Sequence, residues 1–230
     1  MPNLTKQNRT GLLACLDEET YEWLSSVWTP MRFMPDETIV DFEDATSDVY
    51  FIASGEVRAI LQVAIGKEVI LGEFGRGGIF GELAALDGEP RSASLTALVQ
   101  THVMRIPEGI FNELMARSPA FTHCLLKSLS QRTRDLTNRI AELSFLDTRH
   151  RLYNTLLRMS RTRDEKDAER IISPPVIHAV LAEHIGASRE AVSREMSKLA
   201  KENLVSRTRG AIILRQPGEL SRRISATLQN

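Results

Sequence analysis

The sequence lacks the features that mark membrane proteins, secreted proteins and cysteine-rich metal proteins. Its 230 residues include only two cysteines, Cys15 and Cys124, which are far apart and fit no metal-ligand spacing. No apolar run approaches the length of a membrane span, and the first residues contain no segment long enough for a secretory signal. We therefore expect a cytoplasmic protein with no membrane partner, in which each cysteine is an inert packed thiol in a reducing compartment.

Groupings of catalytic or metal-binding residues are also missing. The histidines form no metal-spaced pair, and no Ser/His/Asp order stands out. Two isolated cysteines do not supply the ligands of an iron–sulfur cluster. The sequence therefore predicts a protein that is not an enzyme, with no catalytic residues and no metal. A haem group stays open, because Pro2 and the five histidines are candidate ligands.

Net charge is almost absent, but the charges are unevenly distributed. The formal net charge is −1, yet residues 1–147 hold 13 Lys+Arg and 21 Asp+Glu, whereas residues 148–230 hold 16 and 9. An acidic first part and a basic second part indicate two domains with different partners. The basic part is expected to face a polyanion such as double-stranded DNA.

The first half of the chain has mainly the pattern of short strands. Residues 10–30 have the apolar spacing of short helices, with Asp17 near a helix start. From about 31 to 106, β-branched stretches alternate with turn residues, which is typical of an antiparallel barrel or roll. The segment IFGELAALDGEP interrupts this pattern and predicts a short helix that ends near Gly88.

Residues 118–146 carry the strongest helical pattern. Two sets of residues recur every seven positions, and they are Leu126, Thr133 and Ile140 in one set and Leu129, Leu136 and Leu143 in the other. This a/d heptad predicts a helix that pairs with a second copy of the chain. An amphipathic helix packed on its own domain would show the same pattern, so that alternative stays open.

The last third has the pattern of a winged helix-turn-helix. Asp147 is a good N-cap for a helix over 148–162, and the charged stretch RTRDEKDAER is predicted to be a solvated loop. Helices near 177–184 and 188–201 flank a turn at Gly186, and the hairpin VSRTRGAIILR follows. A helix, a turn, a second helix and a two-stranded wing together form an arrangement that binds DNA.

The segment FGELAALDGEPRSAS has the residues that a small cyclic phosphate diester needs. Gly81 allows the backbone to approach a ligand closely, and N–H groups at the start of a short helix can hold phosphate oxygens. Arg91 and Ser92 are suited to donate to the phosphate. An ionised Glu82 is suited to accept from the ribose 2′-hydroxyl.

The segment LAEHIGASREAVSREMSKL has the residues that read DNA bases. Val192, Met196 and Leu199 share one helix face and are expected to pack in the core. The opposite face carries Glu190, Ser193 and Arg194, with Arg189 at the helix start. Arginine bonds well to guanine and glutamate accepts from cytosine, so this face is expected to lie in the major groove.

Both segments resemble those of the Crp/Fnr family, on its cyclic-AMP receptor branch. FGELAALDGEPRSAS is similar to the phosphate-binding cassette of cyclic-nucleotide-binding domains, and SREAVSR is similar to the recognition helix of the family. The resemblance runs from about residue 20 to 215. It implies an α+β fold with a cyclic-nucleotide-binding β-roll over 1–117, a long dimerisation helix and hinge over 118–147, and a winged helix-turn-helix over 148–230.

The resemblance also assigns the nucleotide-binding residues. It places the ribose on Gly81 and Glu82, with Leu83 in the same cassette, and the phosphate on Arg91 and Ser92. Two adjacent hydroxyl residues on the long helix contact the base in the family, and the matching positions here are Leu136 and Thr137. Leu136 departs from that pattern, so one contact to adenine is missing and cyclic AMP, cyclic GMP or both are candidate ligands.

The DNA-binding residues follow from the same resemblance. Arg189, Glu190 and Arg194 are expected to read bases, with Ser188 and Ser193 beside them. Arg207 and Arg209 on the wing are expected to contact phosphates, which position the protein without specifying sequence. His178 stands where the family often has a phosphate-contacting arginine, which puts that contact in doubt.

The function implied is that of a cyclic-nucleotide-dependent transcription regulator. A two-fold homodimer would bind a palindromic DNA site, and RNA polymerase is the further partner that the resemblance implies. The alternative is a regulator of the same fold that responds to redox, a gas or another small molecule without any cyclic nucleotide.

Overall fold

A computed structural model describes residues 9–63, 67–162 and 169–228 of the chain. They fall into two units, Met1–Arg132 and Thr133–Asn230, and the long helix α4 (Pro119–Phe145) begins in the first and ends in the second. The division at 117 and 147 expected from the sequence stays a prediction. Pro2 and residues 163–168 of the predicted surface loop lie outside the described residues.

The first unit opens with two short helical segments. A 3-10 helix, Gly11–Cys15, is followed by α1 (Glu18–Val27). The Asp17 side chain caps α1 by accepting a hydrogen bond from the Thr20 backbone N–H at 2.7 Å. The helices predicted for residues 10–30 are therefore confirmed.

Two antiparallel sheets form the centre of this unit. The eight strands within its described residues are β1 (Thr29–Phe33), β2 (Thr38–Val40), β3 (Val49–Ser54), β4 (Glu56–Val63), β5 (Lys67–Gly75), β6 (Ile79–Phe80), β7 (Ser94–Ala97) and β8 (Thr101–Ile106). One sheet has the order β1-β8-β3-β6 and the other β2-β7-β4-β5. Because the apolar side chains of both sheets are buried, the strands enclose a core as a roll does.

Three helices complete the first unit. They are α2 (Glu82–Asp87), α3 (Glu108–Arg117) and the first part of α4. Gly88 ends α2 in a left-handed conformation, as the sequence predicts. The buried ring of Phe121 in α4 contacts Phe51 of β3 and Phe111 of α3, which fixes α4 on the sheet and α3 on α4.

The prediction that the two cysteines are separate packed thiols is wrong. Cys15 and Cys124 form a disulfide with a Cα–Cα distance of 6.8 Å, which ties the end of the 3-10 helix to α4. The two residues are 109 positions apart in sequence. Neither spacing nor composition reveals a contact over that separation, because it depends on how the elements between them fold.

The second unit is a small helical domain with a four-stranded sheet. After the last part of α4, its elements are α5 (Thr148–Met159), β9 (Arg161–Thr162), β10 (Arg170–Ile172), α6 (His178–Ile185), α7 (Arg189–Lys201), β11 (Val205–Arg207), β12 (Ile212–Leu214) and α8 (Pro217–Leu228). The sheet order is β11-β12-β10-β9, all antiparallel. The core includes the fully buried side chains of Leu152, Tyr153 and Leu181.

The sequence predicted most of these elements. Asp147 caps α5 through the His150 N–H at 2.9 Å, and Gly186 ends α6 in the left-handed conformation. The prediction that RTRDEKDAER is entirely loop is wrong, because its described ends pair as β9 and β10. Helix α8 was not predicted. None of the described helices is both long and apolar enough to span a lipid bilayer.

Candidate functional site

The first candidate site is built around Gly81, which joins β6 to α2. Gly81 has a φ of 81°, which favours glycine, and it is the N-cap of α2. A Cβ at this position would lie 2.6 Å from the Asp48 carbonyl oxygen and 2.8 Å from Arg91 Nη1. Any larger residue would therefore separate the turn from the guanidinium packed against it.

Arg91 is held close to this turn and is almost completely buried, with 3% of its surface exposed. Its guanidinium donates to the carbonyl oxygens of Gly81 at 2.9 Å and Asp48 at 2.8 Å, and to Thr46 Oγ1 at 3.2 Å. These three acceptors are uncharged oxygens. A buried cation with neutral partners is a strong attractor for an anion such as a phosphate.

Glu82 is the buried acid of the same turn, with 2% of its surface exposed. Its carboxylate accepts a hydrogen bond from Arg132 Nη1 at 2.5 Å. Burial raises the pKa of Glu82 above its ordinary value, and the positive charges of Arg132 and Arg91 act against that rise. The site thus holds one acid between two arginines.

Arg132 is a site residue that the sequence analysis missed. It comes from α4, donates to the Ile79 carbonyl oxygen at 2.8 Å and lies over the Phe74 ring at 4.8 Å. The one signal available was that Arg132 lies beside the a/d seam of α4, next to Thr133, and not in it, which leaves its contact partner open.

The other four predicted ligand residues are exposed and are not part of the buried cradle. The side chains of Leu83 and Ser92 are exposed beside the cradle that Gly81, Glu82 and Arg91 form. Leu136 and Thr137 belong to the second unit and are also exposed. The Thr137 hydroxyl donates to the Thr133 carbonyl oxygen at 2.9 Å, within its own helix. The structure therefore brings three of the seven predicted residues together within the first unit.

The second candidate site is the exposed face of α7. The Ser188 side chain caps this helix, with its Oγ accepting from the Ala191 N–H at 3.2 Å. Arg189, Glu190 and Arg194 are exposed on it. The opposite face, formed by Val192, Met196 and Leu199, is buried as predicted.

Two further contacts hold α7 in place from other elements of the second unit. The Tyr153 hydroxyl of α5 donates to the Glu195 carboxylate, and burial together with this acid raises the pKa of Tyr153. Arg223 of α8 bonds to Glu202, at the end of α7, at 2.8 Å. The unpredicted helix α8 thus helps to position the helix that carries the exposed arginines.

His178 and the wing lie beside this face. His178 Nδ1 is 2.8 Å from the Ser193 hydroxyl oxygen, so the first residue of α6 is hydrogen-bonded to α7. Burial is the main cause that lowers the pKa of His178, and the charges of Arg207 and Arg189 add to it. Arg207 and Arg209 are exposed on the hairpin of β11 and β12. Among the described residues, no cluster of His, Cys, Asp or Glu side chains is arranged to hold a metal ion.

Two family models match the chain in the order of these two sites. Residues 30–118 match the cyclic nucleotide-binding domain, and residues 150–223 match the Crp-like helix-turn-helix domain. The chain belongs to the Crp/Fnr family. The Crp/Fnr family consists of DNA-binding transcription regulators, which confirms the predictions of family, of fold and of a protein that is not an enzyme.

Curated relatives support this membership over most of the chain. The cAMP-activated global transcriptional regulator CRP of Salmonella typhimurium is 26% identical over 190 residues, which are 82% of this chain and 90% of that protein. The cAMP-activated global transcriptional regulator Vfr of Pseudomonas aeruginosa is 28% identical over 178 residues, which are 76% of this chain and 83% of that protein.

Solved structures of the Crp/Fnr type have the same fold. A CooA mutant from Carboxydothermus hydrogenoformans has a TM-score of 0.80 at 21% identity, covering 94% of this chain and 96% of that chain. The c-di-GMP responsive global regulator CLP of Xanthomonas campestris has a TM-score of 0.74 at 24% identity, covering 86% and 99%. At these identities the likeness shows the fold and leaves the effector to be inferred from the site.

Proposed function

We propose that this Crp/Fnr regulator binds cyclic AMP, cyclic GMP or both in its β-roll, and that the bound nucleotide governs DNA binding by a homodimer. One observation carries the proposal. Arg91 and Glu82, both nearly completely buried, lie against the same left-handed turn at Gly81. A buried cation and a buried acid next to each other match the phosphate and the ribose hydroxyl of one cyclic nucleotide.

Each residue of the cradle has a role in this binding. Arg91 exchanges carbonyl partners for phosphate oxygens, and Ser92 donates its hydroxyl to the same phosphate. Glu82 accepts from the ribose 2′-hydroxyl while Arg132 balances its charge. The backbone between Gly81 and Leu83, at the start of α2, approaches the ligand because Gly81 has no side chain.

The base is proposed to meet Leu136 and Thr137. Because Leu136 has no hydroxyl, the site lacks one hydrogen bond to adenine. A neutral hydrogen bond contributes about 0.5–1.5 kcal/mol, so cyclic AMP and cyclic GMP should differ by roughly tenfold or less in affinity.

Calorimetric titration of the full chain with cyclic AMP and with cyclic GMP tests the ligand class and this selectivity. We expect both nucleotides to bind, with dissociation constants within about tenfold of each other. A third titration uses c-di-GMP, the effector named for the Xanthomonas relative. Binding of c-di-GMP alone would contradict the proposal, and a ratio of cyclic AMP to cyclic GMP affinity above about a thousand would contradict the selectivity.

The homodimer is proposed to form along α4. Leu126, Leu136, Ile140 and Leu143 follow the heptad and are each between 50% and 65% exposed. A row of large apolar side chains at a/d spacing is the surface that a second copy of the same helix covers. This arrangement would place Thr137, one residue beyond the seam, next to the partner.

The DNA part of the proposal uses the exposed face of α7. Arg189, Glu190 and Arg194 read base edges, with Ser188 and Ser193 beside them. Arg207, Arg209 and His178 contact phosphates. As a Crp/Fnr regulator the protein would act in the cytoplasm together with RNA polymerase.

A gel shift on a palindromic DNA site of the family type tests whether nucleotide binding governs DNA binding. The protein is run without ligand, with cyclic AMP and with cyclic GMP, beside the Arg194→Ala variant. We expect at least one nucleotide to change the affinity for the palindrome, and Arg194→Ala to lose affinity for it but not for random DNA. DNA binding that neither nucleotide changes would contradict regulation by a cyclic nucleotide.

DNA affinity should depend on the protonation of His178. Burial, Arg207 and Arg189 keep the pKa of His178 low in the free protein, whereas DNA phosphates would neutralise these arginines and raise it. Binding would then take up a proton, so affinity is highest below the lowered pKa and falls as the pH rises through the pKa of the complex. The fall is at most about tenfold per pH unit.

Fluorescence anisotropy of labelled DNA from pH 5.5 to 8 measures this dependence. The His178→Gln variant keeps the hydrogen bond to Ser193 but does not titrate, so its affinity should depend much less on pH. The His178→Arg variant should bind tightly over the whole range. The same pH dependence in wild type and His178→Gln would show that another group takes up the proton.

A further inference from the structure

The Cys15–Cys124 disulfide joins the 3-10 helix, which packs on the loop before the nucleotide cradle, to α4, which contacts the cradle through Arg132. Cys15 ends the 3-10 helix, and Cys124 lies on α4 about two helical turns before Arg132. Both cysteines are partly exposed, and Cys124 also packs against the core of the first unit. The disulfide therefore lies at the surface of the first unit and acts on the helix that supplies Arg132.

The 3-10 helix packs directly on the loop that leads into the cradle. A Cβ added to Gly11 would lie 1.9 Å from the Gly77 carbonyl oxygen, and a Cβ added to Gly77 would lie 2.8 Å from Thr10 Oγ1. The two backbones are thus in direct contact. The loop at Gly77 continues into β6, which ends next to Gly81 and Glu82.

Arg132 connects α4 to the strand and the acid of the cradle. Its guanidinium bonds to the Ile79 carbonyl oxygen of β6 and to the carboxylate of Glu82. The disulfide therefore ties α4 to the 3-10 helix, and the hydrogen bonds of Arg132 tie the same helix to β6 and Glu82. Reduction of the disulfide removes the covalent restraint and leaves the hydrogen bonds.

We propose that Cys15 and Cys124 are a reversible thiol–disulfide site, and that its oxidation weakens nucleotide binding by restraining the part of α4 that supplies Arg132. The second half of this inference rests on the proposed function. Arg132 bonds to one oxygen of the Glu82 carboxylate, so the ribose must share Glu82 with it and α4 must adjust when the ligand enters. The disulfide opposes that adjustment, and the two free thiols allow it.

The exchange uses a disulfide oxidant such as oxidised glutathione. The thiolate of one cysteine attacks the oxidant, forming a mixed disulfide and releasing one glutathione thiol. The second cysteine then attacks the mixed disulfide, forming the Cys15–Cys124 bond and releasing a second glutathione thiol. Two protein thiols are oxidised as one glutathione disulfide is reduced, and a dithiol reductant reverses the reaction.

The exchange itself is tested by a redox titration of the full chain without any nucleotide. Samples are equilibrated at graded ratios of reduced to oxidised glutathione and alkylated. Intact mass spectrometry then gives the number of alkylated cysteines. We expect a transition from two alkylated cysteines to none, with Cys15→Ser and Cys124→Ser each stopping at one glutathione adduct. Two alkylated cysteines at every ratio, or a disulfide that excess dithiothreitol leaves intact in the folded protein, would overturn the site.

The coupling is tested by titrating cyclic AMP and cyclic GMP into oxidised wild type, reduced wild type and the Cys15→Ser and Cys124→Ala variants. We expect the reduced protein and both variants to bind about fivefold more tightly or better than the oxidised protein. Reductant should leave the variants unchanged. Equal affinity of oxidised and reduced wild type overturns the coupling. Absence of binding in every form refutes the proposed function and the coupling with it, while the mass measurement still decides the exchange site.

Discussion

Replacing Arg91 with alanine should remove almost all affinity for cyclic nucleotides. Arg91 is the buried cation of the cradle, and its guanidinium is already in place on Gly81 and Asp48. Truncating one partner of a buried, hydrogen-bonded charge pair costs about 2–5 kcal/mol. Calorimetry should therefore show an affinity loss of roughly thirtyfold to several thousandfold.

The controls for this variant separate ligand binding from folding. Arg91 also stabilises the roll through its hydrogen bonds, so thermal unfolding is recorded for each variant. Arg91→Lys keeps the charge without the planar fork and should lie between wild type and Arg91→Ala. Arg58→Ala removes an arginine of the same roll that pairs with Glu73, and it should bind nucleotide normally. A folded Arg91→Ala protein with wild-type affinity would show that Arg91 does not hold the phosphate.

Arg91 also shows why the cradle could be predicted from sequence. Its core is a single continuous segment, and each residue has a distinct chemical requirement: a left-handed glycine, an acid and an arginine. Gly81 meets that requirement in the structure with a φ of 81°, and Glu82 and Arg91 are both buried beside it. Each of these residue types alone is weak evidence, and it was the resemblance of the whole continuous segment to a known cassette that located the site.

Contacts that join distant segments could not be predicted in the same way. Arg132 reaches Glu82 across 50 positions, and Cys15 reaches Cys124 across 109. Their partners depend on the path of α4 over the roll, which no spacing rule encodes. The position of Arg132 beside the heptad seam did not identify Glu82 as its partner.

In the second unit, too, local features could be predicted from sequence and contacts between distant segments could not. Asp147 and Gly186 carry local capping chemistry, and each sits at the helix end where the sequence predicts it. Strands β9 and β10 were missed because two or three residues of pairing leave no periodic pattern. The contacts of α8, such as Arg223 with Glu202, likewise depend on the folded domain.

Replacing Ile140 with aspartate should dissociate the proposed homodimer. Ile140 is 65% exposed on its own chain, so the change costs the single subunit little. In a paired helix it would lose the burial of one large apolar side chain in each copy, about 1.5–3 kcal/mol per copy. Because both copies change, we expect the dimer to weaken by roughly a hundredfold or more, and two facing carboxylates add repulsion.

Asn138→Asp is the matched control, because it adds the same charge on the same helix. In the heptad of Leu136 and Leu143, Asn138 falls on the side opposite the seam, and it is exposed. Analytical ultracentrifugation at micromolar concentration should show a monomer for Ile140→Asp and a dimer for Asn138→Asp and wild type. Since Ile140 is not part of the buried core that holds α7, the Ile140→Asp monomer should still bind a single half-site while it loses the advantage of the palindrome. A dimeric Ile140→Asp protein would show that this face of α4 is not the dimer interface. The proposal that Thr137 contacts the base next to the partner subunit would then have no support.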